Sequence, residues 1–116
     1  MAAVAVTDEV VVDSNRRNLV VTLVDENGAV IDLTGGSAKL QGQSDDLATP
    51  DIDYAGTLTS PAQGEVTFTQ IGTLVTAVNL GSLKKATYNL RVRFTDASTK
   101  FDYSPKFQID WVEKPV

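Results

Sequence analysis

The chain has 116 residues with no cysteine and no histidine, and it carries a formal net charge of −5 at neutral pH. The missing cysteines exclude disulfides, cysteine-ligated zinc and cysteine nucleophiles, and the missing histidines exclude a Ser-His-Asp triad within the chain. The acidic balance argues against nucleic acid or an anionic membrane as the main partner. The length predicts one domain that folds without a metal or a disulfide.

The first residues do not have the pattern of a targeting segment. Residues 1–6 are mildly apolar, but they lack a basic stretch followed by an apolar one, so they do not predict a signal peptide. No apolar run approaches the roughly 20 residues that span a bilayer. We therefore expect a protein that is made in the cytoplasm and used without export.

Residues 1–17 are predicted to form an N-terminal arm or edge strand in front of a β-sandwich domain of residues 18–113. Apolar side chains recur along this arm at Val4, Val6, Val10 and Val12. An apolar arm can close the edge of its own sheet, which is the usual behaviour, or it can add to the sheet of a neighbour. In the second case these four valines are partner-binding residues.

A hairpin is predicted over residues 18–33. Leu19, Val21 and Leu23 alternate onto one face of its first strand. Gly28, or Asn27 and Gly28 together, can take the positive φ that a tight hairpin turn needs. Residues 29–31 are then expected to begin the return strand.

The rest of the chain reads as short strands separated by turns. One segment, residues 71–80, mixes helical spacing with many β-branched residues, so we expect a helical turn or an irregular crossover there. An acidic loop is expected over residues 44–54. Strands are predicted near residues 10–12, 37–43, 56–59, 65–69, 88–95, 101–103 and 107–111.

These elements predict an all-β fold, a single immunoglobulin-like antiparallel β-sandwich of about seven to nine strands. The side chains that alternate inward define its expected core. They are Leu19, Val21, Leu23, Leu40, Leu58, Val66, Phe68, Tyr88, Leu90, Val92, Phe94, Phe107, Ile109 and Trp111.

The acidic loop is the first place to look for chemistry. Asp45, Asp46, Asp51 and Asp53 carry oxygen ligands suited to calcium, but their spacing does not fit an EF-hand loop. Solvated carboxylates are the ordinary explanation for such a loop. Asp45 and Asp46 therefore remain candidates for contact with a partner, and no metal site is predicted.

Two arginines lie on the outward face of the strongest predicted strand. Arg91 and Arg93 alternate with its inward apolar residues, so they are expected to pair with acids across the sheet or to meet an acidic partner. No carboxylate pair stands out among the fifteen acidic residues, and a small sandwich offers little concave surface. We predict no catalytic residue, no cofactor and no enzymatic activity.

An ordered set of short motifs resembles a known family. The stretch 23–35 (LVDENGAVIDLTG), the strand 64–68 (GEVTF), the strand 88–94 (YNLRVRF) and the segment 104–109 (SPKFQI) occur in that order. Together, over roughly residues 18–112, they resemble the N-terminal domains of siphophage baseplate upper proteins, the BppU-like family. The resemblance implies an immunoglobulin-like domain of tailed-phage virions that docks on other structural proteins and catalyses nothing.

The resemblance leads to a functional hypothesis. The expected function is that of a non-enzymatic virion protein, either a capsid decoration (cement) protein or a tail or baseplate accessory protein. Its expected partners are major capsid or tail proteins and further copies of itself in a symmetric assembly. The alternative is a carbohydrate- or receptor-binding module for host attachment, for which Tyr54 and Tyr103 are the plausible exposed aromatic residues.

Overall fold

The computed structural model describes residues 9–115, which contain nine strands and very little helix. One short helix, α1, spans Ala77–Leu80, and 3-10 turns span Pro61–Gln63 and Ile71–Leu74. The strands are β1 (Glu9–Val11), β2 (Leu19–Thr22), β3 (Ser37–Ser44), β4 (Ile52–Ala55), β5 (Thr57–Ser60), β6 (Glu65–Phe68), β7 (Lys85–Thr95), β8 (Phe101–Tyr103) and β9 (Phe107–Val112).

The strands form two sheets that pack on each other as a sandwich. The larger sheet has the order β1-β9-β7-β3-β4, with β8 also paired to β7, and the smaller sheet has the order β2-β6-β5. The predicted all-β sandwich is therefore confirmed. The prediction of a purely antiparallel fold is wrong, because β1 runs parallel to β9. These two strands lie at opposite ends of the chain, so no short turn forces them to run antiparallel.

The two sheets bury one continuous core between them. Trp111 and Tyr88 are fully buried, and their rings meet edge to face with centroids 5.2 Å apart. The Trp111 indole N–H donates a hydrogen bond to the Ile71 carbonyl at 3.1 Å. All predicted core residues are buried except Leu58 and Phe107, which are partly buried at its margin.

The predicted hairpin forms its turn but not its second strand. Gly28 has a φ of +81°, as expected, and its N–H donates to the Asp25 carbonyl. Residues 29–31 contribute only an isolated bridge between Val30 and Val24. β2 instead pairs with β6, which offers it a full four-residue ladder.

The N-terminal arm belongs to the sandwich from Glu9 onward. β1 closes the edge of the larger sheet, and the side chains of Val10 and Val12 are only 2% and 1% exposed. The assignment of these two valines as partner-binding residues is wrong, because they fill space between the sheets. Val4 and Val6 lie outside the described residues.

The segment between β6 and β7 contains helical turns, as predicted. Thr76 caps α1: its hydroxyl accepts from the Asn79 N–H, and the Asn79 side chain accepts from the Thr76 N–H. Asp13 holds the same segment from the other side. One of its carboxylate oxygens accepts a hydrogen bond from the Ala77 N–H at 2.9 Å and lies 3.2 Å from the Lys114 ammonium.

This contact predicts an acid-sensitive stabilisation. The hydrogen bond from Ala77 and, to a lesser degree, Lys114 hold the pKa of Asp13 below its ordinary value. A carboxyl with a lowered folded-state pKa stabilises the fold above its unfolded pKa and loses that effect as the pH falls through the folded value. Asp13→Asn should therefore lower the thermal midpoint at pH 7, and the difference from wild type should shrink below about pH 4.

Circular dichroism melts over a pH series measure this difference. Asp45→Asn is the matched control, because it removes an exposed carboxylate from a loop of the same chain. It should change the midpoint less than Asp13→Asn at neutral pH. A deficit of Asp13→Asn that stays constant down to pH 2 would contradict the assignment.

Candidate functional site

The solvent-facing side of the larger sheet carries the polar and charged side chains of its strands; we call it the outer face. Along β7, every second residue is buried, so the residues between them point outward. Arg91 lies opposite Gln41 of β3, and Arg93 lies opposite Lys39. This register places the predicted arginines in the middle of the outer face.

Both arginines stack on aromatic rings of β8. The guanidinium carbon of Arg91 lies 4.0 Å from the centroid of the Tyr103 ring, and that of Arg93 lies 4.5 Å from the centroid of the Phe101 ring. The two rings meet edge to face, with centroids 6.1 Å apart. We call these four residues the arginine–aromatic cluster. Phe101 is 55% exposed, so the cluster presents apolar area together with two positive charges.

The predicted pairing of Arg91 and Arg93 with acids across the sheet is wrong. Within residues 9–115 the salt bridges are made by lysines: Lys39 with Asp53, Lys85 with Asp110, and Lys114 with Asp13. The reason is the register, because the residues opposite the arginines on β3 are an amide and a lysine, whereas β8 offers rings. Stacking leaves the in-plane N–H donors of each guanidinium available to an acidic group.

Local hydrogen bonds hold the backbone on both sides of β8, the strand that carries the two rings. The loop between β7 and β8 closes through the Asp96 N–H, which donates to the Lys100 carbonyl at 2.9 Å. The Asp96 carboxylate in turn accepts from the N–H groups of Ser98 and Lys100. After β8, the Ser104 hydroxyl accepts from the Val92 N–H, so the far end of β8 is also tied to β7. The backbone that carries the two rings is therefore held at both ends of β8.

A depression of about 570 Å³ lies beside the cluster on the same sheet. Arg91 reaches both features and joins them into one surface. The depression is polar and carries charges of both signs. Its side chains include Gln41, Gln43, Asp45, Asp51, Asn89, Arg91 and Lys106.

The predicted acidic loop divides between two roles. Asp45 lines the depression, and its predicted contact with a partner stays a prediction. The Asp46 carboxylate accepts a hydrogen bond from the Thr87 N–H at 2.8 Å and so fixes the start of β7. In the part of the chain that the structure describes, no three acidic side chains lie close enough together to hold a metal ion.

The two tyrosines considered for glycan binding are already engaged. The Tyr54 hydroxyl donates to the Thr69 carbonyl at 2.8 Å, and its ring packs against the core. One face of the Tyr103 ring is covered by Arg91. The polar depression supplies groups that can bind sugar hydroxyls, whereas the Tyr54 hydroxyl and one face of the Tyr103 ring are already in use.

The comparisons with known proteins leave the identity open. No protein-family model matches this chain, and no curated protein or solved structure is significantly similar to it. The resemblance to baseplate upper proteins therefore stays a prediction. Among residues 9–115, no helix is long and apolar enough to cross a bilayer.

Sequence reasoning found the arginines of this surface but missed their partners. Arg91 and Arg93 are two residues apart, and so are Phe101 and Tyr103 on the strand that follows after a short loop. If these two strands had been predicted to form a hairpin, the two arginines would have been placed beside the two aromatic residues on one face of it. The residues of the depression come from four separate parts of the chain, near residues 41–45, 51–52, 89–91 and 106, and no local pattern connects them.

Proposed function

We propose that this protein is a non-enzymatic structural component of a tailed-phage virion, a capsid decoration protein or a tail or baseplate accessory protein. It would bind neighbouring virion proteins through the arginine–aromatic cluster. The observation that carries the proposal is this cluster of stacked, partly exposed aromatic and arginine side chains. Tyrosine and arginine are enriched among the residues that dominate the energy of protein–protein interfaces.

The preformed shape of the cluster supports its use in binding. Immobilising a flexible side chain at an interface costs about 0.5–1.5 kcal/mol. Arg91 and Arg93 already lie on their rings, and the bonds of Asp96 already fix the loop before β8. Much of the entropy cost of ordering these side chains therefore arises during folding and not on binding. A small contact area would then be enough for a partner to bind.

The charge of the cluster indicates the chemistry of the partner. Two guanidinium groups lie beside an exposed phenylalanine, so the complementary surface would combine acidic side chains with an apolar patch. In a symmetric particle many copies bind at once, and avidity strengthens a contact that is weak when single. These properties agree with a protein that coats or joins a repeating structure.

Phe101→Asp tests this role. The substitution removes the exposed ring and places a negative charge where an acidic partner is expected, so the number of copies per particle should fall at least about tenfold. The gene for the variant would replace the wild-type gene in the phage genome. Quantitative mass spectrometry of purified particles would then count the copies of this protein per particle. Circular dichroism should show an unchanged fold, because Phe101 lies outside the core.

Val78→Asp is the matched control, since it places the same charge on a strongly exposed apolar residue of α1. Its incorporation should equal that of wild type. Normal incorporation of both variants would contradict the role of the cluster. Absence of the wild-type protein from particles would contradict the virion role itself.

A further inference from the structure

Among residues 9–115, no strand pairs with the outer edge of β2 in the smaller sheet, and we call this edge the open edge. β2 pairs with β6 along one side, and the Leu23 N–H extends this ladder by donating to the Gly64 carbonyl at 2.9 Å. Backbone groups alternate in direction along a strand, so the N–H and C=O groups of Val20, Thr22 and Val24 point away from β6. No hydrogen bond within residues 9–115 reaches these groups.

The turn after β2 does not cover this edge. The Asp25 N–H donates to the Ala29 carbonyl, and the Ile31 N–H donates to the Leu23 carbonyl. The backbone groups of Leu23 and Asp25 alternate with those of the outward-pointing residues, so they face the same side as β6. The returning chain, which bonds to them, therefore also lies on that side. The open edge therefore continues from β2 through Val24.

Nothing in the sequence of this edge protects it. Residues 18–24 contain no charged residue and no proline, and Val20 is 46% exposed. Proteins usually guard free edges with charges, prolines or bulges. β5, at the other edge of the same sheet, is interrupted by a register shift between Leu58 and Ser60. The sheet thus has one edge interrupted by a register shift, at β5, and an opposite edge with no protecting feature in its sequence, at β2. This difference indicates that another strand pairs with β2.

The charges at the two ends of the open edge favour one pairing strand, which is β2 of a second copy of the chain. Arg16 and Arg17 precede β2, and Asp25 and Glu26 follow it. The Asp25 carboxylate is held by the N–H groups of Asn27 and Ala29. Two copies paired antiparallel bring the basic end of each against the acidic end of the other, whereas parallel pairing would bring like charges together.

We infer that β2 pairs antiparallel with β2 of a second copy of this chain, around a two-fold axis near Val21. Outward-pointing residues then face each other, with Val20 of each copy opposite Thr22 of the other, and each such pair exchanges two hydrogen bonds. The two smaller sheets join into one continuous sheet. This dimer uses a different surface from the arginine–aromatic cluster, so it goes beyond the proposed function and stands without it.

Charge reversal tests the inference. The protein should show a monomer–dimer equilibrium by analytical ultracentrifugation at about 10–500 μM, a range suited to a small contact. Arg16→Glu and Glu26→Arg should each weaken dimerisation at least about tenfold, because the two-fold axis makes every reversal act twice. The double variant Arg16→Glu/Glu26→Arg restores opposite charges and should regain most of the affinity. A monomeric wild type, or a dimer indifferent to these changes, would overturn the inference.

Hydrogen exchange of the wild-type protein gives a second readout that needs no variant. The amides of Val20, Thr22 and Val24 should become more protected as the protein concentration rises, while the Leu23 amide, already bonded to Gly64, should not change. Protection of the three amides that is independent of concentration would mean that the chain's own residues 1–8 cover the edge. That result would overturn the inference, and so would fast exchange at every concentration.

Discussion

Trp111→Ala is expected to lower the free energy of unfolding by about 3–5 kcal/mol, the usual cost of truncating a large buried aromatic side chain. Trp111 is fully buried between the sheets and packs edge to face on Tyr88. Its removal leaves a cavity and also leaves the Ile71 carbonyl without its hydrogen-bond donor. Urea unfolding followed by far-ultraviolet circular dichroism measures the loss.

Phe101→Ala is the matched control, because it truncates an aromatic side chain that lies on the surface. It removes the stacking with Arg93, and its cost should stay below about 1 kcal/mol. A Trp111→Ala variant that loses no more stability than this control would show that the core is not centred on Trp111.

Val12→Asp is expected to destabilise the fold by at least about 3 kcal/mol, because it places a carboxylate without a partner between the sheets. Total stabilities of domains are about 5–15 kcal/mol, so the variant should melt far below the wild type. The Val12 N–H also donates to the Val112 carbonyl at 3.0 Å, which ties the arm to β9. Thermal unfolding measures the shift.

Val11→Asp introduces the same charge at the neighbouring position, whose side chain is only partly buried. It should shift the melting midpoint much less than Val12→Asp. Equal and small shifts for both would mean that the arm is not part of the core. Its valines would then again be available to a partner.

The alternation of apolar residues predicted most of the sandwich because each sheet has one face toward water. β7 follows this rule from Ala86 to Phe94, so its inward and outward residues could be assigned from the sequence. The alternation of apolar residues does not decide where the N-terminal arm packs. Val10 and Val12 would look the same in sequence whether they filled their own core or that of a neighbour, and only the pairing of β1 with β9 decides between these options.

The candidate site could be predicted only in part, for a related reason. Periodicity placed Arg91 and Arg93 on the outer face, but their contacts depend on which strand lies beside β7 and in which register. The same limit explains the incomplete hairpin. The turn at Gly28 is a local property of its residues, whereas the partner of β2 is β6, which is distant in sequence.

The passage of the chain through Gly56 joins the two layers covalently. β4 belongs to the larger sheet and β5 to the smaller one, and only Gly56 separates them. A side chain there would collide with Val66 and Phe68, so the crossing lies tightly against the core. The two layers therefore cannot separate at this corner without displacing the backbone of both strands, because a single residue links them.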